Sequence, residues 1–60
     1  MMKTETAIKI ISKEAEFLGM PFLETLIDIK KNGRMMYSEK VVEAFNIVFA
    51  QGQQMFAKGN

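Results

Sequence analysis

Apolar residues recur at helical spacing through the C-terminal third of the chain, from Ser38 to Lys58. At about 100° per residue they fall within an arc about 160° wide on one side of a helix. Ser38 stands before this stretch as an expected N-cap, and Glu39 is placed to stabilise the helix dipole. The pattern therefore predicts a helix over 39–58. The residues of the arc are Val41, Val42, Ala44, Phe45, Val48, Phe49, Gly52, Met55 and Phe56.

Two shorter helices are predicted before it. An apolar stripe with charged residues opposite predicts the first over 5–18. Gly19 is typical of a helix C-terminus and Pro21 of a first helical turn, which together predict a second helix over 21–31. Asn32-Gly33 is expected to end that helix. The predicted core-facing residues are Ala7, Ile8, Ile11, Ala15 and Leu18 in the first helix and Phe22, Leu23, Leu26, Ile27 and Ile29 in the second.

Two features of this pattern have more than one interpretation. Ile10 and Phe17 form a second apolar edge on the first helix, which either widens the core face or offers a second contact surface. The segment 34–37 between the second and third helices reads as an extended linker or as a short edge strand. Glu24 and Asp28 share a helical face one turn apart, and we expect both to lie at the surface.

The sequence predicts that the 60 residues form one small all-α domain, 1–60, with the long C-terminal helix as its spine. At 1.5 Å per residue this helix is roughly 30 Å long, against about 22 Å and 16 Å for the other two. Neither short helix can cover it from end to end. A chain of this size is marginally stable alone, and it contains no cysteine or histidine for a disulfide or a zinc site. Association with a second chain is therefore expected.

The sequence predicts a homodimer built on the C-terminal half of the third helix, in which two of these helices pack through their apolar arcs. A helix-interior glycine costs about 1 kcal/mol relative to alanine, and close approach of a second helix would account for Gly52. The predicted interface residues are Phe45, Val48, Phe49, Gly52, Met55 and Phe56.

Catalysis is not expected from this composition. Without histidine or cysteine there is no imidazole base and no thiolate, and the carboxylates are spread over three helices. No residue spacing indicates a metal site or a phosphate-binding loop, so no cofactor is expected. The interleaved charges of the N-terminal residues do not resemble a signal peptide, and no stretch predicts a membrane span. We expect a cytoplasmic protein.

Nucleic-acid binding is the main alternative. Lys30, Lys31, Arg34 and Lys40 gather around the second connection and could contact phosphates. The net charge of only +1 and the lack of arginine on the third helix argue against it. The residues favour a non-enzymatic interaction protein (a regulator, adaptor or inhibitor) that docks an apolar helical face. A dimeric nucleic-acid-binding regulator that uses the basic segment 30–40 is the second hypothesis.

Overall fold

A computed structural model describes the backbone of residues 2–58 and the side chains of residues 2–52. It contains three helices: α1 over Thr4–Leu18, α2 over Phe22–Met36 and α3 over Glu39–Lys58. No strand occurs within residues 2–58, which confirms the all-α prediction. The side chains beyond Gly52 lie outside the description, so the role of α3 as a spine stays a prediction.

The chain reverses at Gly19 between α1 and α2. Gly19 adopts φ 69° and ψ 31°, a left-handed conformation that favours glycine. The Gly19 N–H donates to the Glu16 carbonyl at 3.2 Å, and the Met20 N–H donates to the Ala15 carbonyl at 3.0 Å. These bonds satisfy carbonyls that the end of α1 would otherwise leave free. The predicted end of the first helix is confirmed.

The predicted bounds of the second helix, 21–31, are wrong at both ends. Pro21 precedes the helix as its N-cap, with ψ 153°, and α2 continues to Met36. Gly33 does interrupt it, with φ 41° and ψ −123°, but a helical turn resumes directly afterwards. The Tyr37 N–H closes that turn on the Gly33 carbonyl at 2.9 Å. Residues 34–36 are therefore helical, and the linker and edge-strand interpretations of 34–37 are both wrong.

Ser38 caps the start of α3 as predicted. Its side-chain oxygen accepts a hydrogen bond from the Val41 N–H at 3.4 Å, and its carbonyl accepts one from the Val42 N–H at 3.1 Å. The first bond satisfies a backbone donor that has no partner inside the helix, and the second is the first regular hydrogen bond of α3.

Removing this cap should have a small, measurable cost. Ser38→Ala is expected to lower the free energy of unfolding by about 0.5–1 kcal/mol, near the lower end of the range for N-caps because the bond is long. Urea denaturation followed by circular dichroism measures the change. Ser12→Ala, an exposed serine within α1, is the matched control and should leave the midpoint unchanged or slightly raise it. An equal loss in both variants would contradict the capping role.

The core lies mainly between α1 and α3, which contact each other more extensively than either contacts α2. Ala7 and Ala44 are fully buried and small, and so allow close packing of the helices. Ile11 and Ile29 are the largest fully buried side chains within residues 2–52. The buried cluster consists of Ala7, Ile11, Ile29, Tyr37, Val41 and Ala44.

Several predicted core residues are exposed instead. Leu23 is 72% exposed and Ile27 57%, while Thr25 between them is completely buried. The Thr25 hydroxyl donates to the Pro21 carbonyl at 3.0 Å, which removes the penalty for burying it. Because α2 packs only against α1 and α3, the face that it buries is narrower than its apolar stripe. Ile8 and Leu18 are also exposed, at 42% and 40%.

The two residues that form the second apolar edge of α1 differ in their burial. Ile10 is half-buried and packs against the core, as a wider core face requires. Phe17 is 85% exposed and contributes nothing to that face.

Candidate docking groove between the second and third helices

A groove of about 640 Å³ runs between α2 and α3. Its lining is apolar apart from one charged side chain among the described residues, Lys30. We call this surface the α2–α3 groove. It is lined by Leu23, Leu26, Ile27, Lys30, Phe45, Val48, Phe49 and Gly52.

On α2 the groove arises because the apolar stripe is wider than the buried face. Thr25 and Ile29, four residues apart, lie on the face turned to the core. Leu23 and Ile27, also four apart, lie beside that face and project where the other two helices do not cover them. Leu26 is half-buried at the boundary, so it joins the core to the groove.

On α3 the groove is built by aromatic rings. Phe45 and Phe49 lie one turn apart, and their rings stack with centroids 5.6 Å apart and an angle of 19° between planes. Phe49 remains 42% exposed. The ammonium nitrogen of Lys30 lies 5.5 Å from the centroid of the Phe49 ring, within the range of a cation–π interaction. This contact links α2 to α3 and places a positive charge at the edge of an apolar surface.

Four of the six predicted interface residues come together here. Phe45, Val48, Phe49 and Gly52 all line the groove. The side chains of Met55 and Phe56 lie outside the described residues. A Cβ added at Gly52 would meet no atom within 4 Å among the described residues, so packing within this part of the chain does not account for the glycine. Gly52 instead leaves an open position in the groove.

The sequence prediction did not assign Leu23 and Ile27 to this surface, because both were placed in the core. One signal could have identified them. The predicted stripe of α2 contains five large apolar residues, more than one face of a short helix buries in a three-helix domain. The excess must be exposed, and it lies on the α2 edge nearest α3.

Two of the four residues of the predicted basic patch have surroundings that the sequence does not indicate. Lys30, Lys31, Arg34 and Lys40 are all exposed. Lys30 however is directed over Phe49 in the α2–α3 groove. Arg34 lines a separate depression together with Glu39 and Glu43, whose carboxylates lower the local positive potential.

Asp28 is half-buried and hydrogen-bonded, which corrects the expectation that it is a surface carboxylate. It accepts a hydrogen bond from the Tyr37 hydroxyl and another from Asn32 Nδ2 at 2.8 Å. The hydrogen bond to Asp28, burial, and the negative charges of Asp28 and Glu14 raise the pKa of Tyr37 to about 12. The phenol therefore stays protonated at neutral pH, and its hydrogen bond to Asp28 stabilises the kinked end of α2. It provides no base.

Comparison with known proteins finds no family model, no curated protein and no solved structure that matches this chain. Within the described part of the chain no helix is long and apolar enough to cross a membrane. The same residues contain no group of three or more potential metal ligands of the His, Cys, Asp or Glu type.

Proposed function

We propose that the protein is a non-enzymatic interaction module, a small regulator, adaptor or inhibitor, that binds a helical protein segment in the α2–α3 groove. The observation that supports this most directly is the exposure of Leu23, Ile27 and Phe49 on one concave surface. Contiguous apolar surface on a small domain is costly to leave in water, and in natural proteins it commonly marks a binding site.

The lining suits a helix rather than a polar ligand. Two helices form its sides, and an amphipathic helix laid between them would place apolar residues against Ile27 and Phe49. Lys30 at the edge would attract a carboxylate on the polar side of the incoming helix. Stacked Phe45 and Phe49 supply large, rigid contact area, the kind of anchor that carries most binding energy at protein interfaces.

We further propose that the C-terminal helix acts as the spine of the assembly, that the assembly is a homodimer, and that the protein works in the cytoplasm. The uncovered groove supports association with a second helical surface. A sequence without cysteine needs no oxidising compartment to fold.

The experiment compares two phenylalanines that differ in their position. Tagged wild type, Phe49→Glu and Phe17→Glu are expressed in the native host, and the proteins that co-purify are identified. Phe49 lines the groove, whereas Phe17 is 85% exposed on α1 outside it. We expect Phe49→Glu to reduce the amount of co-purified partner at least about tenfold, because the substitution removes an aromatic anchor of the interface. Phe17→Glu should retain it.

Circular dichroism and a denaturation curve check that both variants fold, and only folded variants are compared. A partner retained by Phe49→Glu at the wild-type level, or lost from Phe17→Glu alone, would contradict docking in the groove.

The alternative function is a dimeric nucleic-acid-binding regulator that uses the basic segment 30–40. The exposure of Lys30, Lys31, Arg34 and Lys40 supports it. It requires that generic DNA or RNA be retarded in a gel shift and that the affinity fall steeply as salt rises. Docking in the apolar groove predicts no such shift.

A further inference from the structure

We infer that the α2–α3 groove is occupied by the same groove of a second copy, with the two α2 helices antiparallel across a two-fold axis beside Ile27. This inference rests on the proposed function and assigns it an occupant and a register. It also moves the centre of the dimer from the C-terminal half of α3, where the sequence places it, toward α2.

The charges of α2 are self-complementary about Ile27. Glu24 and Lys31 are both exposed and lie seven residues apart, which gives them almost the same direction on a helix and a separation of about 10 Å along it. Ile27, three residues after Glu24 and four before Lys31, lies close to their midpoint. When two α2 helices pack antiparallel with their centres there, Glu24 of each copy comes level with Lys31 of the other. Two symmetric ion pairs result.

The antiparallel arrangement is the one that uses this pattern. A two-fold axis perpendicular to two antiparallel helices brings each flank of one helix against the same flank of the other. Glu24 and Lys31 share a flank, so opposite charges meet. In a parallel pair the two-fold axis runs along the helices and opposite flanks face each other, so Glu24 and Lys31 of one copy do not meet Lys31 and Glu24 of the other.

The α3 side of the groove has a matching arrangement of sizes. Phe45 and Gly52 also lie seven residues apart, with Val48 and Phe49 midway between them. About a centre there, Phe45 of one copy comes level with Gly52 of the other. The Gly52 position is open, since an added Cβ would meet no described atom within 4 Å. A ring opposite a glycine is the large-against-small contact that lets helices pack closely.

The energy of such a dimer comes from apolar contact and its register from charge. Leu23 and Ile27 are more than half exposed, so covering them removes apolar surface from water. Exposed ion pairs contribute little affinity but penalise the wrong orientation. A helix of another protein would satisfy the apolar part alone. The seven-residue spacings of complementary residues, Glu24 with Lys31 and Phe45 with Gly52, point to a second copy.

The test is a charge exchange measured by sedimentation equilibrium. Wild type should be a dimer at roughly 100 μM, well above a micromolar Kd. Glu24→Lys and Lys31→Glu should each weaken the dimer about tenfold at low salt, because each replaces two attractions by two repulsions. The double variant Glu24→Lys/Lys31→Glu should restore the wild-type Kd. Glu16→Lys, an exposed charge change on α1, is the control and should leave Kd unchanged.

A second variant tests the apolar centre. Ile27→Asp should give a monomer whose circular dichroism remains helical, since Ile27 is 57% exposed and contributes little to the core. If it unfolds, the charge variants decide.

Three results would overturn the inference: a wild-type monomer at roughly 100 μM, a folded Ile27→Asp dimer, or a double variant no tighter than the single ones. A wild-type monomer that still loses another protein through Phe49→Glu would leave the proposed function intact and exclude only the second copy. A wild-type monomer whose co-purifying proteins are unaffected by Phe49→Glu would reject the proposed function as well.

Discussion

Ile11→Ala is expected to lower the free energy of unfolding by about 2–5 kcal/mol. Ile11 is completely buried among residues of all three helices and the α2–α3 connection. Truncation removes its apolar contacts and leaves a cavity that the neighbouring helices cannot fully close. A domain of this size has only about 3–9 kcal/mol of stability in total, so the substitution removes a large part of it.

Ile8→Ala is the matched control because it makes the same change one turn away on α1. Ile8 is 42% exposed, so alanine there should cost about 1 kcal/mol or less. Urea denaturation at one fixed protein concentration measures both, since association would make the midpoints concentration-dependent. Equal losses would mean that Ile8 and Ile11 are equally buried, contrary to the structure.

Tyr37 is expected to ionise at a pKa of about 12, a shift of about a hundredfold in its ionisation constant from the usual pKa of 10. The chain contains one tyrosine and no tryptophan, so the near-ultraviolet absorbance of tyrosinate reports this residue alone. Asp28→Asn removes the negative charge that accepts the phenolic hydrogen bond. The pKa should then fall toward 10, with burial and Glu14 holding it somewhat above that value.

The sign of the accompanying stability change follows from the direction of the shift. The pKa of Tyr37 is higher in the folded state than in the unfolded chain. Its contribution to stability is therefore fully present below about pH 10 and is lost as pH rises through about 12. Tyr37→Phe should remove this part of the pH dependence, while lysine deprotonation affects both proteins alike. A tyrosinate midpoint unaffected by Asp28→Asn would contradict the hydrogen bond as the main cause.

Local sequence was sufficient for most helix boundaries, because those boundaries depend on residues close together in the chain. Gly19 ends α1 by adopting a conformation that other residues rarely reach. Ser38 begins α3 through a hydrogen bond to a residue three positions away. The failure at Gly33 has an equally local origin. Glycine permits the break in α2, but the Tyr37 N–H bonds back to the Gly33 carbonyl and lets the helix resume.

The sequence by itself determined that the chain forms three helices and that α3 presents Phe45, Val48, Phe49 and Gly52 on one side. Only the tertiary structure decided that Thr25 is buried while Leu23 and Ile27 are exposed. Helical periodicity shows in which direction each side chain points around the helix axis. Burial depends in addition on how much of the helix surface the neighbouring helices cover. In a domain of three helices the coverage of α2 is narrow. The uncovered remainder of its apolar stripe, facing the rings of α3, is the α2–α3 groove.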